Sequence, residues 1–208
     1  MSKIDLSNLD AVQYDVLKEI GNIGAGNATT ALAQMLGVKI DMNVPKVDLV
    51  DMSEIPSIMG SEEDIMAGIL LSLEGSISGM MMFLLEINSA RTLVNTLLQK
   101  PFDPSKVDSP EFDDMERSAL NEIGNIITGA YLSALSDLTK LTIVSSVPGL
   151  QIDMAASILS VPAIAFSQLG DRVLLIETKF DTEHSLNGYF VLVPDLDSYD
   201  TILKSLGL

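Results

Sequence analysis

Apolar residues return every three or four positions from about Asp10 onward. On a helix, Leu17, Ile20, Gly24, Ala28, Ala31 and Met35 share one arc, while Asp15, Glu19, Asn22 and Gly26 fall within about 60° of each other on the opposite one. This predicts a long amphipathic helix. A second is predicted further on, with Ser118, Glu122, Asn125 and Gly129 as its polar stripe and Leu120, Ile123, Ile127 and Leu138 turned away from it. Behind the first helix come a strand region at 38–52, a short helical turn, strands near 66–74 and 77–87, and an amphipathic helix over about 88–99. Behind the second come a strand region at 141–154, a short helix near 155–160, strands near 172–181 and 188–194, and a closing helix over about 197–206. The run from Ile65 to Ile87 is long and apolar enough to suggest a membrane span. Glu74-Gly75-Ser76 interrupts it, however, and the flanking glycines and β-branched residues predict two buried strands joined by a tight hairpin.

The two series are one unit written twice. A shift of 103 positions lays Leu17, Glu19, Ile20, Gly21, Asn22 and Ile23 on Leu120, Glu122, Ile123, Gly124, Asn125 and Ile126, and the same shift carries Pro45 onto Pro148. The expected fold is α+β: a duplicated helix-strand-helix-strand-strand-helix unit with pseudo-twofold symmetry, its long motif helices packed on an antiparallel sheet. Residues 1–208 then form a single domain of two intertwined repeats, about 10–99 and 113–206, joined by the proline-rich stretch 100–112 as a linker.

Composition narrows the function classes. The formal charge of −17 is spread along the chain, so nucleic acid is a poor partner and an anionic membrane surface is equally unattractive. No membrane insertion is expected. The absence of cysteine excludes disulfides, thiolate metal sites and a cysteine nucleophile. The N-terminal residues show no basic region followed by an apolar run and a cleavage site, which leads to an expectation of a cytoplasmic protein.

The stretch "EIGNIGAGNATTAL" (19–32) looks like a phosphate loop, but its glycines lie inside a helical pattern with no strand before them and no Lys-Ser/Thr after them. Glycines inside a helix cost about 1 kcal/mol each relative to alanine, so they call for a reason, such as close approach of another backbone. What persists in both copies is Glu-x-x-Asn. It lacks the imidazoles of a metal hydrolase, and the single histidine, His184, is expected on a hairpin or loop as a surface residue. An exposed asparagine can still act on a phosphoryl group: its neutral amide is not repelled by phosphate and offers donor and acceptor together, which suits it to hold an attacking water in line. A glutamate three residues earlier suits docking, by pairing with a lysine of a partner.

"DVLKEIGNIGAGNATTALAQML" with Pro45, and "SALNEIGNIITGAYLSALSDL" with Pro148, resemble the twin signatures of the CheC/CheX/FliY family of chemotaxis phosphatases. That pattern reads Asp or Ser, three residues, Glu, two residues, Asn, twenty-two residues, Pro. Asp15, Glu19, Asn22 and Pro45 fit it, as do Ser118, Glu122, Asn125 and Pro148. The resemblance implies a hydrolase acting on the aspartyl phosphate of the response regulator CheY. Asn22 and Asn125 would position water, Glu19 and Glu122 would contact the regulator's lysine, and the prolines would be structural. No cofactor of its own is implied; Mg2+ is expected from the bound regulator. Two motifs in about 200 residues are similar to the CheC branch, which implies binding to the receptor deamidase CheD around the short helix after the second motif, with Asp153 and Met154 as contacts. The alternative it leaves is a weakly catalytic or non-catalytic adaptor for CheD and phosphorylated CheY.

Overall fold

The computed structural model describes residues 9–42, 46–166, 172–181 and 186–208. In chain order the elements are α1 (Ala11–Leu36), β1 (Asp41–Met42), β2 (Lys46–Asp51), α2 (Ile55–Met59), β3 (Ile65–Gly75), β4 (Gly79–Glu86), α3 (Ile87–Leu97), α4 (Asp114–Thr139), β5 (Ile143–Ser145), β6 (Gly149–Met154), α5 (Ala155–Phe166), β7 (Arg172–Asp181), β8 (Leu186–Pro194) and α6 (Leu196–Ser205).

The two long helices begin by the same device. Asp10 accepts the Gln13 N–H at 2.8 Å while the Gln13 side chain accepts the Asp10 N–H at 3.1 Å. Asp113 and Glu116 repeat this reciprocal cap, at 2.8 and 3.0 Å. Each helix ends on a left-handed residue, Gly37 at φ 67° and Lys140 at φ 59°.

The fold is α+β with an antiparallel sheet, in the order β1, β7, β8, β4, β3, β5; β2 also pairs with β7, and β6 with β3. The hairpins β3–β4 and β7–β8 meet at the centre, where Phe83 stands opposite Phe190 with ring centroids 4.7 Å apart. Each half lends its outer strand to the other: β2 lies on β7, and β6 lies on β3. Leu17, Ile20, Leu120, Ile123 and Tyr131 pack on one sheet face, and Ile55, Ile158 and Leu159 pack on the other. Because both faces are covered, β3 and β4 read as one apolar run. Among the described residues no helix is long and apolar enough to cross a membrane.

Three expectations need correction. The short helix expected to stop near Ser160 is α5, which continues through Pro162 to Phe166. Leu138, expected to turn inward, is 36% exposed, although Leu135 and Thr139 on either side of it are buried. The helix glycines admit side chains and not another backbone. A Cβ at Gly21 would meet Val47 at 2.8 Å, one at Gly124 would meet Ile69 at 2.6 Å, and one at Gly24 would enter the ring of Tyr131.

Gly24 and Tyr131 show how the halves have diverged. Under the 103-residue shift Gly24 corresponds to Ile127 and Ala28 to Tyr131, so one copy places small residues where the other places large ones. Gly24→Ile should destabilise the protein by about 1–3 kcal/mol through overpacking. In Gly24→Ile/Tyr131→Ala the total loss should fall short of the sum of the single losses by about 1 kcal/mol or more, measured by denaturant unfolding. Strict additivity would show that the ring and the glycine do not compete for space.

Candidate functional site

Helices α1 and α4 lie side by side, joined where Tyr131 of α4 fills the space over Gly24 of α1. Below them, Gly21 seats α1 on Val47 of β2 and Ile176 of β7, and Gly124 seats α4 on Ile69 of β3. At about 100° per residue, the polar stripe of each helix falls roughly opposite the face through which the helices meet. The two stripes therefore look outward over opposite edges of the sheet, as two separate sites.

Asp15 and Glu19 are exposed, and Asn22 is half-buried. Ser118, Glu122, Asn125 and Gly129 are all exposed, and a Cβ built at Gly129 would meet nothing within 4 Å. Pro148 is half-buried in the gap between β5 and β6, where no ladder bond requires an N–H from it. Pro45 and His184 lie outside the described residues. Asp153 and Met154 end strand β6 and do not belong to the helix that follows; Asp153 pairs with Met66, and its carboxylate accepts the Met154 N–H at 2.7 Å. Met154 is 42% exposed.

The structure gives the twenty-two-residue interval a physical meaning. After Asn22 and Asn125 each helix runs fourteen residues to its last residue, Leu36 or Thr139, which is about 21 Å at 1.5 Å per residue. About six residues of strand cover the same distance on the way back. The returning chain brings Val47 under Gly21, and in the other copy Leu150 beside Ile69, the residue under Gly124. Each proline stands two residues before that strand residue. The interval is the length of a return path, and it fixes a point on the edge strand relative to the asparagine.

The two copies differ at the asparagine. Asn125 presents its amide to solvent, whereas the Asn22 carbonyl oxygen is buried without a hydrogen-bond donor. A sheltered, unpaired acceptor costs about 1–3 kcal/mol. Beside Asn22, the Tyr14 hydroxyl donates to Asp48 at 3.1 Å, and Lys18 lies 4.9 Å from the centre of the Tyr14 ring. Burial, followed by the hydrogen bond to the Asp48 carboxylate, raises the Tyr14 phenol above its ordinary value. The second copy has Arg117 and Asn121 in the places of Tyr14 and Lys18.

Sequence reasoning missed what anchors α4. Buried Arg91 of α3 donates to Glu116 at 2.8 Å and to the carbonyls of Ser109 and Glu111 at 3.0 and 2.6 Å, and its guanidinium lies 3.8 Å from the centre of the Phe112 ring. Lys100 adds a second ion pair to Glu116 at 2.8 Å. These contacts pin residues 100–112 and fix the first turn of the helix that carries Glu122 and Asn125. Nothing in the sequence marked Arg91 and Glu116 as partners, because 25 positions separate them and each type is usually exposed. Among the described residues no group of three or more His, Cys, Asp and Glu is arranged to hold a metal ion.

A profile of the CheC-like family matches residues 12–48 and 115–152, the two motif helices with the start of their return strands. The CheY-P phosphatase CheC of Bacillus subtilis is 38% identical over 199 residues, covering 94% of each chain. Among solved structures, Thermotoga maritima FliY superposes with a TM-score of 0.73 at 22% identity, covering 95% of this chain and 96% of that one. The CheX–CheY–BeF3–Mg complex from Borrelia burgdorferi gives a TM-score of 0.53 at 18% identity, covering 88% and 97%.

The Glu116 cluster predicts a pH dependence. Burial alone would raise the Glu116 carboxyl, but hydrogen bonds from Lys100, the Asp113 N–H and Arg91 outweigh it and hold the group below its ordinary value. A carboxyl depressed by folding stabilises fully above the unfolded value, about pH 4.3, and loses that contribution as the pH falls further. Glu116→Gln leaves buried Arg91 uncompensated and should cost about 3 kcal/mol at neutral pH. In denaturant titrations the gap between the two proteins should narrow below about pH 4. A gap independent of pH would refute the ionised pair.

Proposed function

The chain belongs to the CheC-like family, and on that premise we propose that it hydrolyses the aspartyl phosphate of the response regulator CheY, with Asn22 and Asn125 as the groups that position water. The observation that carries this reading is the pair of outward-facing Glu-x-x-Asn stripes, each held on the sheet by the glycine just before its asparagine.

The chemistry asks little of such a site. Water attacks phosphorus, the bond from phosphorus to the aspartyl oxygen breaks, and inorganic phosphate leaves with the water's oxygen. The departing group is a carboxylate, the anion of an acid with a pKa near 4, so no general acid is needed to protonate it. An amide that donates to a phosphoryl oxygen while accepting from water, or holds the water alone, supplies alignment, and the transfer is governed by positioning and charge stabilisation. Glu19 and Glu122, one turn before the asparagines, pair with a lysine on the regulator and set the approach. On this reading Mg2+ comes with the regulator, since the stripes carry few exposed carboxylates, Asp15 with Glu19 on one and Glu122 on the other. On the same reading the protein acts in the cytoplasm.

A second reading has a specific observation behind it. Met154 at the end of β6 and, on the following α5, Val161 and Ile164 are exposed, with Ile164 at 76%, so this strand end and helix present apolar side chains at the surface. This surface suits an adaptor role in which the chain holds the deamidase CheD, with Asp153 and Met154 at the contact, as well as phosphorylated CheY.

The decisive measurement is the decay of phosphorylated CheY with and without this protein. Asn125→Ala should slow the catalysed decay more than Asn22→Ala, because the Asn22 oxygen is sheltered. The double variant should lose about 10²–10³-fold. Undiminished catalysis in the double variant would refute the assignment of the asparagines. No acceleration by the wild-type protein, even with CheD present, would leave the adaptor as the better reading.

A further inference from the structure

Val147 is 90% exposed, more than any other large apolar residue described. Its backbone is nevertheless firmly held. Ser146 donates its N–H to the Ser72 carbonyl at 3.0 Å, its hydroxyl accepts the Ser72 N–H at 3.0 Å and donates to the Val147 carbonyl at 3.2 Å, and Pro148 fixes the next φ. The sequence writes the same Val-Pro pair in the first copy, at 44–45. An isolated exposed valine is ordinary. One fixed on both sides, and duplicated with the motif, calls for a partner.

Its place in the fold names that partner. Leu150, three residues on, pairs with Ile69, and Ile69 underlies Gly124, the neighbour of Asn125. Since β5 and β6 run back along α4 and Ser146 bonds Ser72, Val147 stands opposite Leu71, about 7 Å from the level of Leu150 toward the helix C-terminus and roughly level with Gly129. The stripe of α4 faces this edge of the sheet, and Gly129 leaves open space above it. With a net charge of −17, the protein repels a phosphorylated site at long range. At such a surface short-range apolar contact adds affinity beyond the Glu122 ion pair, and a rigidly held valine can supply it.

We propose that Val147 is a docking residue that seats the response regulator over the second site, by apolar contact beside the phosphorylated aspartate. The proposal rests on the phosphatase reading above. Val147 is a positioning residue: it sets how tightly the regulator binds and leaves the hydrolytic step to Asn125.

The test uses the full chain carrying Asn22→Ala, so that only the second site turns over, with phosphorylated CheY as substrate over a range of concentrations. Val147→Ser should raise KM about five- to tenfold, the effect of losing part of a buried valine, while kcat changes less than about twofold. Val147→Ile should restore tight docking. The thermal midpoint should stay with the parent, since the side chain packs on nothing; this separates lost docking from lost folding. An unchanged KM, or a fall in kcat at constant KM, would overturn the proposal. Asn125→Ala in the same background tells this failure from failure of the reading beneath it. If Asn125→Ala abolishes turnover and Val147→Ser has no effect, only the docking assignment falls. If turnover survives Asn125→Ala, both fall together.

Discussion

The contact between one glycine and the sheet governs this structure. Gly21 and Gly124 stand just before the motif asparagines, and each faces a branched side chain of a strand at a distance that leaves no room for a Cβ. A larger residue there would lift the helix from the sheet. Helix height, the return path of the following strand and the projection of the asparagine all follow from that contact. Glycine's cost inside a helix, about 1 kcal/mol, is offset by the apolar burial that close packing of α1 and α4 on the sheet permits.

Duplication supplies the second constraint. Each half buries its edge by taking a strand from the other, β2 on β7 and β6 on β3, so neither half completes the sheet alone. Across the pseudo-twofold axis the copies need only complement each other. Gly24 with Tyr131 sets a very small residue against a very large one, where the equivalent positions of the other copy hold Ile127 and Ala28. The same freedom reaches the sites: Asn125 is open to solvent, while Asn22 has an oxygen sheltered and unpaired. Equal motifs do not make equal environments, because burial is set by neighbours that the motif does not specify.

Much of this was legible in the sequence. The 3.6-residue period located both long helices, the turn at Glu74-Gly75-Ser76 separated two strands from a false membrane span, and the 103-residue repeat exposed the stripes. These signals are local, or repeat a local one. Long-range pairing left no such trace. That glycine spaces were filled by Tyr131, Val47 and Ile69 depends on elements far away in the chain. Arg91 and Glu116 meet only because α3 and the start of α4 are packed together. Asp153 and Met154, expected at the end of the strand region 141–154, close β6 in register with Met66 and Ile65, directly before α5.

The plainness of the site follows from the bond it is suited to break. An aspartyl phosphate has a stable carboxylate as its leaving group, so an acid to protonate it would add little. What remains is to hold a water in line, where a misplacement of about an ångström can cost about 10²-fold in rate. The requirement is then rigidity, and it is met far from the reacting atoms. Asn125 sits in the middle of a 26-residue helix, eleven residues past Asp114 and fourteen short of Thr139, away from fraying ends. The Arg91–Glu116–Lys100 cluster fixes the start of that helix, Gly124 presses its centre onto β3, and Tyr131 locks it to α1. A neutral amide on such a support can position water without repelling phosphate, and a fold with this mechanical property needs no more elaborate chemistry.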